Sequence, residues 1–195
     1  MTSNLEFPHE WRAEVLVKPP LIAPARQFTY PQQIAGEEDA MARGALLLQV
    51  HPAAGATFLA TCALGFTDPA MPTGIFACSN PREMCAVAGG YAYVLDTAAP
   101  GRSTHIPLKP VAEVLVLAEQ GLLLFVGFHA IAAWGREGLA WQTARLSSEG
   151  IRITGVRVDG DGAARLHGFG WNMRTDKEVE FSVDLLTGAH TGGGF

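Results

Sequence analysis

The chain has 195 residues, with 22 Gly and 12 Pro, which is long enough for one domain with a sizeable core and predicts frequent chain reversals. Hydrophobic residues make up 48% and charged residues only 17%, so the chain can bury enough apolar surface to fold, and wholesale disorder is excluded. The net charge of −5 and the lack of any Lys/Arg cluster argue against nucleic-acid binding.

Two features of the sequence predict a cytoplasmic protein with no membrane contact. Residues 1–6 lack the positive charge and the apolar stretch of a signal peptide. The most apolar stretch, residues 111–134, is interrupted by Glu113, Glu119 and His129, which makes it too polar for a lipid-facing span. We therefore expect this stretch to form buried strands.

Residues 1–42 are rich in proline, at positions 8, 19, 20, 24 and 31, and this density excludes long helices and interior sheet positions. We therefore predict a Pro-rich N-terminal arm over residues 1–42 and a single β domain over residues 43–195. Within the arm, residues 11–18 alternate like an edge strand, and residues 36–43 favour a turn or two of helix.

After residue 43, short apolar runs alternate with Gly, Pro, Asp and Asn about every eight to twelve residues, as in meandering antiparallel strands. The predicted fold class is therefore all-β, built from antiparallel meander sheets. The predicted strands are 45–51, 57–64, 74–78, 84–88, 92–96, 104–108, 112–118, 122–128, 130–134, 139–146, 151–158, 163–170, 178–184 and 189–191.

Three stretches look like copies of one hairpin, because each is a strand that leads to a Gly-containing turn: residues 91–97, 130–134 and 181–185. Their starts are roughly 40 to 50 residues apart, and a period in that range is typical of a propeller blade of four short strands. The clearest unit is 111–146, in which tight turns join four predicted strands.

In this unit a Gly-containing turn leads into a strand that carries Trp, in the sequence Gly138-Leu139-Ala140-Trp141. By this feature residues 74–195 resemble the blades of quinoprotein-type and related β-propellers. The resemblance implies three to four blade-like units, and thus a small propeller or an incomplete one completed by a partner copy. A β-sandwich or barrel of stacked meanders is the alternative. The resemblance implies neither a cofactor nor a catalytic residue, and none is predicted.

The densest mixture of aromatic, amide and charged groups lies in residues 168–178. There Trp171, Asn172, Arg174 and Asp176 combine a rigid apolar ring with groups that form directional hydrogen bonds, which favours a recognition surface. The structural alternative is that Trp171 packs under a loop in which Arg174 and Asp176 form an ion pair.

Histidine and cysteine positions predict no metal site. The six histidines include no pair at i, i+2 or i, i+4 spacing. His129 lies in a strongly apolar run, where a histidine is typically a hydrogen-bonded core or interface residue, and we include it among the candidate binding residues. The three cysteines, Cys62, Cys78 and Cys85, are irregularly spaced and are predicted to be buried free thiols.

Residues 159–162, Asp-Gly-Asp-Gly, resemble the start of a calcium loop, but no Glu follows at a suitable position. Since predicted strands flank them, we interpret these residues as a hairpin turn.

The predicted function is that of a non-catalytic binding or interaction domain for a protein partner or small ligand, forming a homo-oligomer because an incomplete set of blades leaves sheet edges to cover. The alternative is a small hydrolase or lyase with a His/Asp loop pocket. No Gly-x-Ser-x-Gly elbow is present to support nucleophilic catalysis.

Overall fold

The computed structural model describes residues 2–22, 24–31, 40–160 and 162–194. These residues form four small, open β-sheets and no α-helix, which confirms the predicted all-β fold class. No helix in this part of the chain has the length and apolar character needed to cross a membrane. The chain divides into two compact units, Met1–Pro110 and Val111–Phe195. This division falls after Pro110, whereas the predicted boundary lies at residue 42.

The first unit contains two sheets. Its strands are β1 (Thr2–Asn4), β2 (Trp11–Leu16), β3 (Arg26–Tyr30), β4 (Ala45–Pro52), β5 (Phe58–Ala63), β6 (Gly74–Ala77), β7 (Glu83–Ala88), β8 (Tyr91–Asp96) and β9 (Ser103–His105). One sheet has the order β2-β4-β5-β3 and the other β1-β6-β7-β8-β9. β3 lies parallel to β5 and β1 lies parallel to β6, while the remaining pairs are antiparallel.

The predicted arm therefore supplies three strands to the sheets. β2 is an edge strand, close to the predicted 11–18, whereas β1 and β3 occur where no strand was predicted. The prolines separate these strands but do not prevent them, because a strand of three to six residues fits between two prolines when it pairs at an edge. A 3₁₀ turn covers Ala40–Arg43, and residues 36–39 of the predicted helical turn lie outside the described residues.

Three side-chain hydrogen bonds connect the two sheets of the first unit. The Trp11 indole N–H donates to the Glu83 carbonyl at 3.0 Å. The buried hydroxyls of Tyr30 and Tyr93 donate to the carbonyls of Pro100 at 2.6 Å and Ala63 at 2.9 Å. Since a buried hydroxyl without a partner is costly, these bonds fix how the aromatic rings lie between the sheets.

The three cysteines are buried free thiols, as predicted. Burial raises the pKa of Cys62 to about 12. Burial also raises the pKa of Cys78 and Cys85, and in each case a neighbouring thiol adds to the rise. All three are therefore protonated, poor nucleophiles at neutral pH.

We expect the free energy of unfolding to decrease as the pH rises above about 9. In the unfolded chain these thiols are exposed to water and ionise near pH 9.0, whereas the folded Cys62 ionises near 12, so the folded state binds more protons between these values. Each such thiol lowers stability by about 1.4 kcal/mol per pH unit in that window. Urea unfolding at neutral and alkaline pH measures the slope, and Cys62→Ala should reduce it. An unchanged slope in that variant would contradict the assignment.

The second unit consists of two four-stranded antiparallel meanders. Its strands are β10 (Val111–Leu117), β11 (Leu122–Gly127), β12 (Ile131–Gly135), β13 (Gly138–Gln142), β14 (Ile151–Val158), β15 (Ala164–Asn172), β16 (Lys177–Asp184) and β17 (His190–Gly192). The strand orders are β10-β11-β12-β13 and β14-β15-β16-β17, so neighbours in the sequence are neighbours in the sheet.

The three repeated hairpin stretches occupy equivalent places. They form β8, β12 and β16, each the third of four consecutive strands in its sheet. Copies of one repeated hairpin are expected to occupy the same place in each sheet. Whether the sheets are arranged as propeller blades stays a prediction.

The core of the second unit lies between the two meanders. Its buried side chains include Leu124, Ile131, Leu166 and Phe181. In β15, Leu166, Gly168 and Gly170 face this core, and the intervening residues face the opposite side. A Cβ atom on Gly168 would lie 2.6 Å from the Phe181 ring, so the absence of a side chain there allows Phe181 to pack.

Candidate functional site

Four of the predicted site residues lie at the hairpin between β15 and β16, with Trp171 and Asn172 at the end of β15 and Arg174 and Asp176 in the turn. The Asn172 side-chain oxygen accepts hydrogen bonds from the backbone N–H groups of Arg174 at 3.0 Å and Thr175 at 3.2 Å. Asp176 adopts a left-handed φ of 54°, which Asp tolerates better than most residues. Asn172 and Asp176 therefore shape the turn.

Trp171 projects from the face of β15 that lies opposite the core, together with Phe169 and His167. Its half-buried ring lines a cleft of about 390 Å³, which we name the Trp171 cleft. The cleft is lined by Glu149, Gly150, Ile151, Arg152, Phe169, Trp171 and Glu178.

An ion pair crosses this face beside the aromatic rings. Arg152 donates from Nε to Glu178 Oε1 at 3.2 Å and from Nη2 to Oε2 at 2.7 Å. The guanidinium lies 4.4 Å from the centroid of the Phe169 ring, within the range of a cation–π contact. Both charged side chains are about half exposed, at 54% and 48%, so the pair contributes little to stability but orients Arg152 over the ring.

Two serines hold the backbone of the cleft in place. The buried Ser147 hydroxyl donates to the Gly150 carbonyl at 2.5 Å and accepts from the backbone N–H of Trp171 at 2.8 Å. Ser148 donates its backbone N–H to the Trp171 carbonyl at 2.8 Å, and its hydroxyl accepts from Met173 N–H at 3.3 Å. The segment before β14 is thus bonded to both backbone groups of Trp171.

His129 lies on the connection between β11 and β12 and is exposed, so of the two places predicted for this hydrogen-bonded histidine, core or interface, it does not lie in the core, and the interface stays a prediction. Connections between strands lie at the surface, so this residue is exposed although the run around it is apolar. The His129 Nδ1–H donates to the Ser147 carbonyl at 3.2 Å. His129 and Trp171 are therefore both bonded to Ser147, but His129 does not line the cleft.

Arg174 and Asp176 are exposed on the turn and do not line the cleft. Within the part of the chain that the structure describes, they form no ion pair with each other. The alternative interpretation, in which an Arg174–Asp176 ion pair holds the loop over Trp171, therefore lacks the ion pair it requires.

Sequence reasoning did not single out Arg152, Phe169, Glu178 or Ser147, although Phe169 and Glu178 lie within the predicted stretch 168–178. Phe169 and Trp171 are two apart in a strand, and this spacing places them on one face. The positions of Arg152 and Glu178 depend on the strand register, in which Arg152 is opposite Phe169 and Glu178 is opposite Trp171.

A second polar cluster lies farther along the same face of β15. Asp159 forms an ion pair with Arg165, and Asp159 Oδ1 is 3.8 Å from His167 Nε2. Asp159 and Arg165 line a neighbouring pocket of about 370 Å³. Hydrogen bonds between Asp159 and residues 162 and 163 form the predicted hairpin turn, of which Asp161 lies outside the described residues.

Comparison with known proteins assigns this chain to no family. No protein-family model matches the chain, and no curated protein matches it. The chemistry of the cleft is therefore the basis for a functional proposal.

Proposed function

We propose that this chain is a non-catalytic binding domain that recognises a protein partner at the Trp171 cleft. The observation that carries the proposal is a half-buried Trp beside an Arg stacked on Phe, in a concave part of an outer sheet face. Trp and Arg are among the residues most enriched at the positions that dominate binding energy in protein interfaces.

The chemistry of the cleft indicates what the partner presents. An apolar or aromatic side chain would pack against Trp171 and Phe169, since both rings are partly accessible. Arg152 uses two groups, Nε and Nη2, to bind Glu178, which leaves Nη1 to donate to a carboxylate of the partner. We therefore propose a peptide segment in which an acidic residue lies near an aromatic one.

The site is preorganised for such a partner. Trp171 lies in a regular strand, and hydrogen bonds from Ser147 and Ser148 hold both of its backbone groups. A site that is ordered before binding loses less conformational entropy in the complex, which favours affinity.

We expect Trp171→Ala to weaken partner binding by at least tenfold, because truncation of a central interface Trp commonly costs about 2 kcal/mol or more. A displayed library of random linear peptides selected on the wild-type protein supplies the probes, and fluorescence anisotropy measures their affinities. The matched control is Leu139→Ala, which removes an exposed apolar side chain of β13 outside the cleft. Selected peptides that bind both variants equally well would contradict the proposal.

The alternative of a hydrolase or lyase has its best location at Asp159 and His167, the one His/Asp pair that the described ion-pair contacts bring together. Opposite His167 across the β15–β16 pair is Ser182, whose hydroxyl is 3.0 Å from that of Thr191. Hydrolysis of p-nitrophenyl acetate by the wild-type protein, abolished in His167→Gln, would favour the enzyme over the binding domain.

A further inference from the structure

The second unit has another cavity, which shares no lining residue with the Trp171 cleft. Its volume is about 490 Å³, within the range of small-molecule sites. The walls are largely apolar and include Leu122, Ala140, Trp141, Leu185 and Leu186, and we name this cavity the Trp141 pocket. None of the functions argued above uses it.

The indole of Trp141 is held in a fixed orientation. Its N–H donates to the Leu185 carbonyl at 2.9 Å. Gly188, at a φ of 74°, lies so close that a Cβ atom there would be 2.8 Å from the ring. Since the only polar group of the indole is already bonded, Trp141 offers the pocket an apolar aromatic surface.

Asp184 also lines this pocket, and it lines the neighbouring pocket of Asp159 and Arg165 as well. Its Oδ1 accepts hydrogen bonds from the backbone N–H groups of Leu186 at 3.0 Å and Thr187 at 2.9 Å, and from the Thr187 hydroxyl at 2.9 Å. These bonds, led by those from Thr187, hold the pKa of Asp184 below its usual value, so the carboxylate is ionised at neutral pH.

Among the described residues, Arg165 is the charged group that acts on the Asp184 carboxylate. Arg165 is opposite Asp184 in the β15–β16 pair and helps to lower its pKa, but the ion pair described for Arg165 is with Asp159. Oδ1 makes all the hydrogen bonds described for Asp184, so among the described residues Oδ2 accepts none. The lining of the pocket therefore combines apolar side chains with one acidic residue whose Oδ2 has no described hydrogen bond.

We infer that the Trp141 pocket binds a small organic cation with an apolar body, of the alkylamine or arylalkylamine class. The apolar body would lie against Trp141, Leu122 and Leu185, and the ammonium group would lie at Asp184. Gln120, which also lines the pocket, can accept a second hydrogen bond from the ammonium group.

The test uses three probes of equal chain length: hexylammonium, hexanol and hexanoate. Isothermal titration should show hexylammonium binding about fivefold more tightly than hexanol, and hexanoate binding more weakly than both, because one partly exposed ion pair is worth at most about a factor of five. Equal affinities for the three probes, or no binding of hexylammonium, would overturn the inference.

Two variants separate the charge from the cavity. Asp184→Asn keeps an oxygen that accepts the hydrogen bonds of Leu186 and Thr187 but removes the charge, so the preference for hexylammonium over hexanol should fall to less than about twofold. Ala140→Phe fills the pocket from an exposed position on β13 and should abolish binding of all three probes. Unchanged urea midpoints would show that both variants fold, and full binding by a folded Ala140→Phe would overturn the location.

Trp171→Ala serves as the control that distinguishes this site from the Trp171 cleft. Because the two cavities share no lining residue, this variant should bind hexylammonium with wild-type affinity. A parallel loss of peptide and amine binding in Trp171→Ala would contradict the existence of two independent sites.

Discussion

Replacement of Gly170 by alanine is expected to lower the free energy of unfolding of the second unit by about 3 kcal/mol, the upper part of the usual range for overpacking. A Cβ atom at this position would lie 2.1 Å from the Leu146 carbonyl oxygen. That carbonyl cannot easily move away, since it accepts the N–H of Gly194 at 2.7 Å while the Leu146 N–H donates to the His129 carbonyl at 2.7 Å.

Urea unfolding followed by circular dichroism measures this loss. The matched control is Gly160→Ala, because no described atom beyond the chain neighbours lies within 4 Å of the new Cβ and the backbone there is not in the left-handed region. The control should change stability by less than about 0.5 kcal/mol. Equal effects of the two substitutions would show that the packing of β15 against the Leu146 segment is looser than described.

Replacement of Ser147 by alanine is expected to cost about 2 kcal/mol and to reduce peptide binding at the Trp171 cleft. The Ser147 side chain is fully buried, and its loss leaves the N–H of Trp171, the N–H of Glu149 and the carbonyl of Gly150 without this partner. These backbone groups are partly buried, and leaving them unsatisfied accounts for most of the expected cost. Binding falls because the backbone position of Trp171 is no longer held.

Ser182→Ala provides the comparison for this substitution. Its hydroxyl bonds only to the exposed hydroxyl of Thr191 among the contacts described, so stability should change by less than about 0.5 kcal/mol and peptide affinity should not change. A Ser147→Ala protein with full stability and full peptide affinity would remove the role assigned to this serine.

Much of the strand pattern could be predicted from local sequence. β14 has the predicted bounds. Five further strands each begin and end within one residue of their own predicted bounds: β4, β5, β7, β8 and β11. In these strands apolar and polar residues alternate, or nearly all residues are apolar, over five or more positions between turn residues. Each of these strands also pairs with the strand before or after it in the chain. Local pattern and local pairing agree there, which is why the prediction succeeds.

β1 and β3 could not be predicted in this way. Each is short and pairs in parallel with a strand far along the chain, so nothing in its own sequence marks it as a strand. The division after Pro110 depends on which strands share a core and not on a change in composition, and it lies elsewhere than the boundary that composition predicts at residue 42.

The candidate site shows the same limit. Trp171 was identified because aromatic and polar residues are concentrated around it in the sequence. Arg152 lies beside Phe169 and Glu178 only because of the register of the β14–β15 and β15–β16 pairs. In the β14–β15 pair, a bulge between Ile153 and Gly155 changes the register for the residues that follow it. Sequence alone does not specify where such a bulge occurs.

The long-range contacts of the first unit have a consequence for how this protein is made. Trp11 bonds to Glu83, 72 residues later, and Tyr30 bonds to Pro100, 70 residues later. The ribosome must therefore release the chain as far as Pro100 before the N-terminal strands can find all their partners. In the second unit every strand pair joins two strands that follow each other in the chain. Since contact order governs folding speed, the unit synthesised first is expected to be the slower to complete its fold.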